Sequence, residues 1–223
     1  MNLRSMGMAL ALCLISAASV KAQIITDNGF ESPDLGSGTG AYAYGDQTPL
    51  SSTVTGWTFV AGAGIAANGS LFDVAGATQG QTSDSSVSTS GQAGFLQGLS
   101  SITQSVYLSG GEYSVSFTAE GRGGVFFPSF TANEITVSLG GTQLFDATPP
   151  PTFFVPETTT QTGDLAPGNY DLTFSGITNA DATTFIDNVQ IDPISVPEPC
   201  SMAFLALALI VFLAVRRLRG QTA

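Results

Sequence analysis

The chain has 223 residues, a formal net charge of −11 at pH 7 and no histidine. The absence of histidine excludes Ser-His-Asp and Cys-His catalytic sites and zinc sites with histidine ligands. Between residues 23 and 195, Arg122 is the only basic residue against sixteen acidic ones, a formal charge of about −15. Nucleic acid is therefore excluded as a partner, because phosphate contacts need basic residues in number.

The first 22 residues are typical of a secretory signal peptide. Arg4 precedes an apolar stretch over residues 6–18, and Val20-Lys21-Ala22 offers compact residues before the predicted cut at Gln23. A membrane anchor is the alternative. We predict that residues 1–22 are removed and that residues 23–195 form one exported domain.

Both cysteines lie outside the predicted domain. Cys13 falls in the leader and Cys200 at the start of the C-terminal apolar run. The exported part therefore has no disulfide and no thiol chemistry.

Alternation of apolar and polar residues predicts β-strands throughout the exported domain. Residues 112–119 place apolar side chains at odd positions and polar ones at even positions. Other candidates of this kind are residues 55–60, 102–108, 135–139, 170–174 and 183–191. Glycine-containing turns, such as Ser109-Gly110-Gly111 and Gly140-Gly141, separate them. The pattern predicts an all-β, antiparallel sandwich.

The order of several short motifs along the domain is similar to that of a known fold. Asn28-Gly29-Phe30-Glu31 opens the domain, Gly56-Trp57 and Gln97-Gly98 follow, and residues 185–191 close it. This order resembles the galactose-binding-like jelly roll of extracellular carbohydrate-binding modules, over roughly residues 24–192. The resemblance implies a jelly-roll β-sandwich and a polysaccharide ligand.

Asp187 suggests a metal. It falls in phase with Phe185, Val189 and Ile191, the side expected to face the core, where a carboxylate needs a donor or a cation. The jelly-roll resemblance implies a structural Ca²⁺ where the first and last strands meet, held by Glu31 and Asp187 with backbone oxygens. A strand bulge, or bonds from backbone amides to Asp187, is the alternative.

Candidate ligand-binding residues lie in a glycine-rich loop over residues 121–130. Arg122, the sole cation of the domain, is close in sequence to Phe126 and Phe127. Further aromatic residues in comparable positions are Tyr42, Tyr44, Phe153 and Phe154. One hypothesis is a loop-borne binding surface. The other is that the aromatic residues cap the ends of the sandwich and that Arg122 pairs with a nearby acid. For Trp57, core packing is favoured over sugar stacking.

The C-terminal tail, residues 196–223, has three parts. Pro197-Glu198-Pro199 precedes an uncharged run over residues 200–215, and Arg216, Arg217 and Arg219 follow. As a helix, sixteen residues span roughly 24 Å, short against a hydrocarbon core of about 30 Å, and snorkelling arginine side chains can close the gap. The basic end predicts a cytoplasmic C-terminus for this single transmembrane helix.

The tail resembles the PEP-CTERM sorting signal of Gram-negative bacteria. This resemblance implies that Pro197, Glu198 and Pro199 are recognised by an exosortase-type enzyme, that the helix holds the protein in the inner membrane, and that Arg216, Arg217 and Arg219 form its basic end. After processing, the domain is expected at the cell surface or outside the cell. A permanent single-pass anchor is the alternative.

Together these features predict an exported, non-enzymatic surface or matrix protein that binds or associates with extracellular polysaccharide. No exported lysine, histidine or cysteine is present to supply a nucleophile or base. One alternative is a structural, self-associating envelope protein without a small ligand. The other is a glycoside hydrolase that uses a pair of carboxylates.

Overall fold

The computed structural model describes residues 25–36, 38–52, 55–67, 70, 91–122, 132–151 and 154–194. All of them belong to one compact unit, Lys21–Ile194. The predicted leader, the sorting tail, and Phe126 and Phe127 lie outside these residues. Among the residues described, no helix is long and apolar enough to cross a membrane.

The described residues form eleven β-strands in two antiparallel sheets. The strands are β1 (Tyr42–Tyr44), β2 (Thr58–Val60), β3 (Ala63–Ala67), β4 (Gln92–Gln97), β5 (Ser101–Leu108), β6 (Tyr113–Gly121), β7 (Ile135–Leu139), β8 (Thr142–Ala147), β9 (Val155–Thr158), β10 (Gly168–Gly176) and β11 (Thr183–Pro193). Sheet 1 has the order β1-β3-β4-β11-β6-β9, and sheet 2 the order β2-β5-β10-β7-β8. The only helical element of the described part is one 3₁₀ turn, Leu50–Ser52. The predicted all-β antiparallel sandwich is confirmed, and the architecture matches a jelly roll.

Strands with period-two sequences coincide with those predicted. In β5 and β7 buried residues alternate with partly or fully exposed ones, as expected where one face of a sheet meets the core and the other meets water. Gly140 and Gly141 connect β7 to β8 with φ angles of 60° and 80°. A side chain at Gly140 would also collide with the ring of Tyr170, because an added Cβ would lie 2.6 Å from Tyr170 Cδ1. Glycine therefore makes this tight turn possible.

The main core lies between the two sheets. Trp57 is 6% exposed, its ring stacks on Phe30 at a centroid distance of 5.1 Å, and its indole N–H donates to the Asp27 carbonyl at 2.9 Å. Phe30 lies so close to β4 that a Cβ on Gly94 would come within 2.8 Å of its ring. The core-packing interpretation of Trp57 is therefore correct.

A second apolar cluster lies on the opposite face of sheet 1, which we call the outer face. It consists of Ala66, Ala93, Phe95, Phe154 and Phe185, with Tyr42 and Tyr44 packed against it. On β4 and β11 the neighbouring residues Leu96 and Ile186 belong to the main core instead. Sheet 1 therefore buries apolar side chains on both faces near its centre.

The expected phase of Asp187 is wrong because β11 changes register. Phe185 pairs with Glu120 and Asp187 with Thr118, but the pairing then shifts between Asp187 and Gln190. Phe185 belongs to the outer cluster, whereas Val189 belongs to the main core. Asp187 is thus in phase with Phe185 on the outer face, and a bulge separates it from Val189.

Candidate functional site

One row of directly paired residues crosses the outer face of sheet 1. Tyr44 on β1 pairs with Gly64, Gly64 with Phe95, Phe95 with Phe185, and Phe185 with Glu120. Gly64 leaves space for the Phe95 ring, which meets Tyr44 edge-on at 5.3 Å. Phe95, Phe185 and Glu120 are fully buried, and Tyr44 remains partly exposed. The row is therefore accessible at its β1 end.

Four polar side chains form a connected network beside the exposed end of this row. The Tyr44 hydroxyl donates to Gln97 Oε1 at 2.9 Å, and Gln97 Nε2 donates to Asp181 Oδ1 at 2.6 Å. The guanidinium of Arg122 lies 3.9 Å from the same Asp181 oxygen. We call Tyr44, Gln97, Arg122 and Asp181 the polar network.

The start of β11 brings these four residues together. Thr183 pairs with Gln97 on β4, and its carbonyl accepts the backbone N–H of Arg122 at 2.7 Å. Asp181 lies two residues before Thr183, in the connection from β10. The central position of β11 in sheet 1 thus fixes Gln97, Arg122 and Asp181 around one point.

Asn133 holds the surrounding loops in place. Its side-chain amide donates to the Gly98 carbonyl at 2.8 Å and accepts the backbone N–H of Thr178 at 3.0 Å. Its own carbonyl accepts the hydroxyl of Thr184 at 2.7 Å. Asn133 is fully buried, so that one residue ties the β4–β5 turn to the connection that carries Asp181.

The electrostatics of the network follow from burial and charge. Burial raises the pKa of the Tyr44 phenol above its usual value of 10.0. The charges of Tyr42 and Asp181 raise this pKa further, whereas the positive charge of Arg122 lowers it. The side chain of Arg122 is only 10% exposed, whereas that of Asp181 is 62% exposed. The carboxylate of Asp181 is therefore much more accessible to an approaching molecule than the guanidinium of Arg122.

The structure places the candidate ligand-binding residues in different parts of the domain. Arg122 pairs with an acid, as one of the two hypotheses expected, and Tyr44 lies close enough to it for their charges to interact. Phe154 is buried in the outer cluster. Phe126 and Phe127 fall outside the described residues. Sequence reasoning missed Gln97 and Asp181, which come from two further segments and belong to no motif.

Glu31 and Asp187, the candidate calcium ligands, converge beside Gly29. A Cβ built on Gly29 would lie 3.4 Å from Asp187 Oδ1 and 3.8 Å from Glu31 Oε1. Glu31 is exposed and Asp187 is fully buried. Asp187 Oδ1 also accepts the backbone N–H of Asn188 at 2.6 Å, as the alternative interpretation expected.

These two carboxylates fit a hard cation in part. Ca²⁺ takes six to eight oxygen ligands, and two carboxylates with nearby backbone carbonyls and water can supply such a set. The described residues contain no group of three or more histidine, cysteine, aspartate or glutamate side chains placed to hold a metal. Asp27, on the same turn, uses both carboxylate oxygens to accept the backbone N–H groups of Glu31 and Ser32.

Several solved structures share this fold. A cyclase from Fischerella sp. TAU, in complex with 4-(1H-indol-3-yl)butan-2-one, is similar with a TM-score of 0.54 and 15% identity, over 79% of this chain and all of its own. A Stig cyclase from the same organism is similar with a TM-score of 0.52 and 15% identity, over the same shares of both chains. The class of protein that the fold defines is thus a jelly-roll β-sandwich, and at this identity the likeness concerns the fold alone.

A weaker likeness is to the CBM22-1 xylan-binding domain from Paenibacillus barcinonensis. Its TM-score is 0.44 at 14% identity, over 73% of this chain and all of that domain. Comparison with models of known protein families gives no match, and comparison with curated proteins gives none either.

Proposed function

We propose that this is an exported, non-enzymatic protein of the cell surface or extracellular matrix that binds extracellular polysaccharide through the polar network. The observation that carries the proposal is the chain of contacts from Tyr44 through Gln97 to Asp181 and Arg122, beside partly exposed tyrosine rings. Aromatic faces that pack on sugar rings, with a few fixed polar groups for the hydroxyls, are what a carbohydrate site requires.

The roles of the residues follow from their exposure. Tyr42 and Tyr44 meet edge-on at 6.2 Å and are both partly exposed, so they offer apolar surface to a sugar ring. Asp181 presents its carboxylate to hydroxyl donors while Gln97 and Arg122 hold it in place. Arg122 therefore positions Asp181 and is not itself the main contact.

A non-enzymatic role is supported by the chemistry at the network. Glycoside hydrolysis uses two carboxylates on either side of the bond that is cut. The polar network contributes one, Asp181, and Glu120 on the same face is fully buried. The cyclases share the fold at 15% identity, and a shared fold does not transfer their reaction.

Binding can be tested with the full chain in detergent and a panel of soluble polysaccharides. We expect saturable binding to at least one of them, weakened by Asp181→Ala. Asp171→Ala is the matched control, because Asp171 is exposed on β10 of sheet 2. No binding to any polysaccharide, together with concentration-dependent self-association in sedimentation, would support the structural-matrix alternative.

The sorting part of the proposal rests on residues 196–223. Pro197-Glu198-Pro199, the apolar run 200–215 and the terminal arginines support recognition by an exosortase-type enzyme and retention in the inner membrane before processing. Intact-mass analysis of protein from cells with and without that enzyme tests this. We expect a product that begins at Gln23 and ends within residues 196–199 only when the enzyme is present. A C-terminus at Ala223 in both would indicate a permanent anchor.

A structural Ca²⁺ is the final part of the proposal. Glu31 and Asp187 would hold it between the opening turn and the closing strand, as their convergence beside Gly29 supports. The ion would join segments more than 150 residues apart in sequence and stabilise the fold.

A further inference from the structure

We propose that the polar network selects uncharged polysaccharides and excludes those that carry carboxylate, sulfate or phosphate groups. This inference rests on the proposed function and names the class of ligand that the same site takes.

The first argument is that the only cation of the domain is already engaged. Arg122 lies 3.9 Å from Asp181 and its side chain is 10% exposed. An anionic sugar would therefore find no guanidinium free to form the bidentate contact by which arginine recognises carboxylates and sulfates.

The second argument is the charge that a ligand meets. The Asp181 side chain is 62% exposed, whereas that of Arg122 is 10% exposed. It accepts hydrogen bonds from sugar hydroxyls and repels an acidic group placed at the same distance. Across residues 23–195 a formal charge of about −15 adds a long-range repulsion of the same sign.

The third argument is that an alternative cation is lacking nearby. Gln97 and Tyr44, the other members of the network, are uncharged, and the Tyr44 hydroxyl donates to Gln97. A phenol is neutral at physiological pH, and burial raises the pKa of this one further. A neutral polymer thus matches the donors and acceptors of the network, and no described side chain of the domain other than Arg122 is basic.

The experiment uses the full chain in detergent with matched pairs of polymers that share a backbone and differ in charge. Suitable pairs are dextran with dextran sulfate, hydroxyethyl cellulose with carboxymethyl cellulose, and methyl-esterified with de-esterified polygalacturonate. Binding is measured by isothermal titration calorimetry in buffer with and without EDTA, so that bridging of two acids by a divalent cation is distinguished from direct binding. In low salt we expect the neutral member of a bound pair to bind at least about tenfold more tightly. Salt at about 0.5 M should narrow the difference, because it screens charge.

Two variants test whether the preference for the neutral polymer depends on the polar network. Asp181→Asn keeps the shape of the side chain and removes its charge, so the preference for the neutral polymer should fall several-fold. Asp171→Asn makes the same charge change on sheet 2 and should leave the preference unchanged. If Asp181→Asn and Asp171→Asn reduced the preference for the neutral polymer equally, the selectivity would come from net charge. This result would overturn a role for the network.

The outcomes separate the two proposals. Tighter binding of the charged member would overturn the proposed selectivity for neutral polymers, but it would still support polysaccharide binding. Failure of both members of every pair overturns polysaccharide binding itself, and the selectivity with it. Preference for the neutral member that depends on Asp181 supports both.

Discussion

Gln97 and Asp181 are separated by 84 residues in sequence and are joined by a hydrogen bond of 2.6 Å, from the amide nitrogen of Gln97 to the carboxylate of Asp181. The bond links the end of β4 to the residues that lead into β11. Because Tyr44 and Arg122 attach to these same two side chains, the contact between Gln97 and Asp181 is the centre of the candidate site.

Replacing Tyr44 with phenylalanine tests the aromatic end of this site. Tyr44→Phe keeps the edge-on contact with Phe95 and removes the hydrogen bond to Gln97. We expect a loss of about 0.5–1.5 kcal/mol in the free energy of unfolding. We also expect the dissociation constant for a bound polysaccharide to rise about two- to tenfold. Tyr107→Phe, at a tyrosine that is 55% exposed on β5, is the control and should change neither value.

Asn133→Asp tests whether one buried amide positions the loops around the network. The new carboxylate cannot donate to the Gly98 carbonyl and would be buried facing it. We expect the free energy of unfolding at neutral pH to fall by about 1–3 kcal/mol and polysaccharide binding to weaken. Asn169→Asp makes the same change at an exposed position of β10. A variant at Asn133 as stable as the one at Asn169 would contradict the role assigned to Asn133.

Gly94→Ala probes the packing of the opening turn on β4. Its Cβ would come within 2.8 Å of the Phe30 ring, so that Phe30 or the strand must shift, at a cost of about 1–3 kcal/mol. Phe30 stacks on Trp57, the single tryptophan, and the fluorescence of Trp57 should therefore change. Gly91→Ala, where an added Cβ would meet nothing within 4 Å, should leave both stability and fluorescence nearly unchanged.

Asp27 gives a prediction about pH. Burial raises the pKa of Asp27 above 3.8, although the backbone N–H groups of Glu31 and Ser32 oppose the shift. A raised folded-state pKa means that the native state binds this proton more tightly than the unfolded state. Protonation of Asp27 therefore adds to the free energy of unfolding. This contribution is fully present below pH 3.8 and is lost as the pH rises through the folded-state pKa. The free energy of unfolding of the wild type, minus that of Asp27→Asn, should therefore decrease over this window in urea titrations. An increase would contradict the assignment.

Calcium should stabilise the protein if Glu31 and Asp187 form a site. At a free Ca²⁺ concentration 100 times the dissociation constant, the free energy of unfolding should rise by about 2.7 kcal/mol. Glu31→Gln should weaken this dependence while leaving the buried contacts of Asp187 in place. Mg²⁺ should have a smaller effect, because it requires a near-octahedral set of ligands. A melting temperature that does not respond to Ca²⁺ would remove the metal from the proposal.

The strands that sequence predicts well are those with one face in the core. β5, β7 and β10 alternate in sequence and in burial, and their positions follow from that alternation. β3 does not, because all five of its residues are buried and most are alanine or glycine. Period-two alternation disappears where both faces of a strand are covered, as they are at the centre of sheet 1.

The candidate site was only partly predictable for a related reason. Arg122 is recognisable in the sequence because it is the only cation of its domain, but its partner, Asp181, is one of sixteen acids without a distinguishing neighbour. Only the pairing of β11 with β4 and β6 selects Asp181 and Gln97. The bulge after Asp187 likewise depends on tertiary pairing and has no marker in the sequence of β11.

β11 runs from the polar network to the far end of sheet 1. Its first residue, Thr183, adjoins the polar network, and its last, Pro193, pairs with Tyr113 at the opposite pole, about 35 Å away for eleven extended residues. A force applied between the network and Pro193 would therefore act along the axis of this strand. β11 is bonded to β4 on one side and to β6 on the other, so a load between Gln97 or Arg122 and the end of β11 would shear the backbone hydrogen bonds of these pairings together. Under the proposed function, sheet 1 would therefore oppose tension between a bound polymer and the end of β11 through two rows of backbone hydrogen bonds.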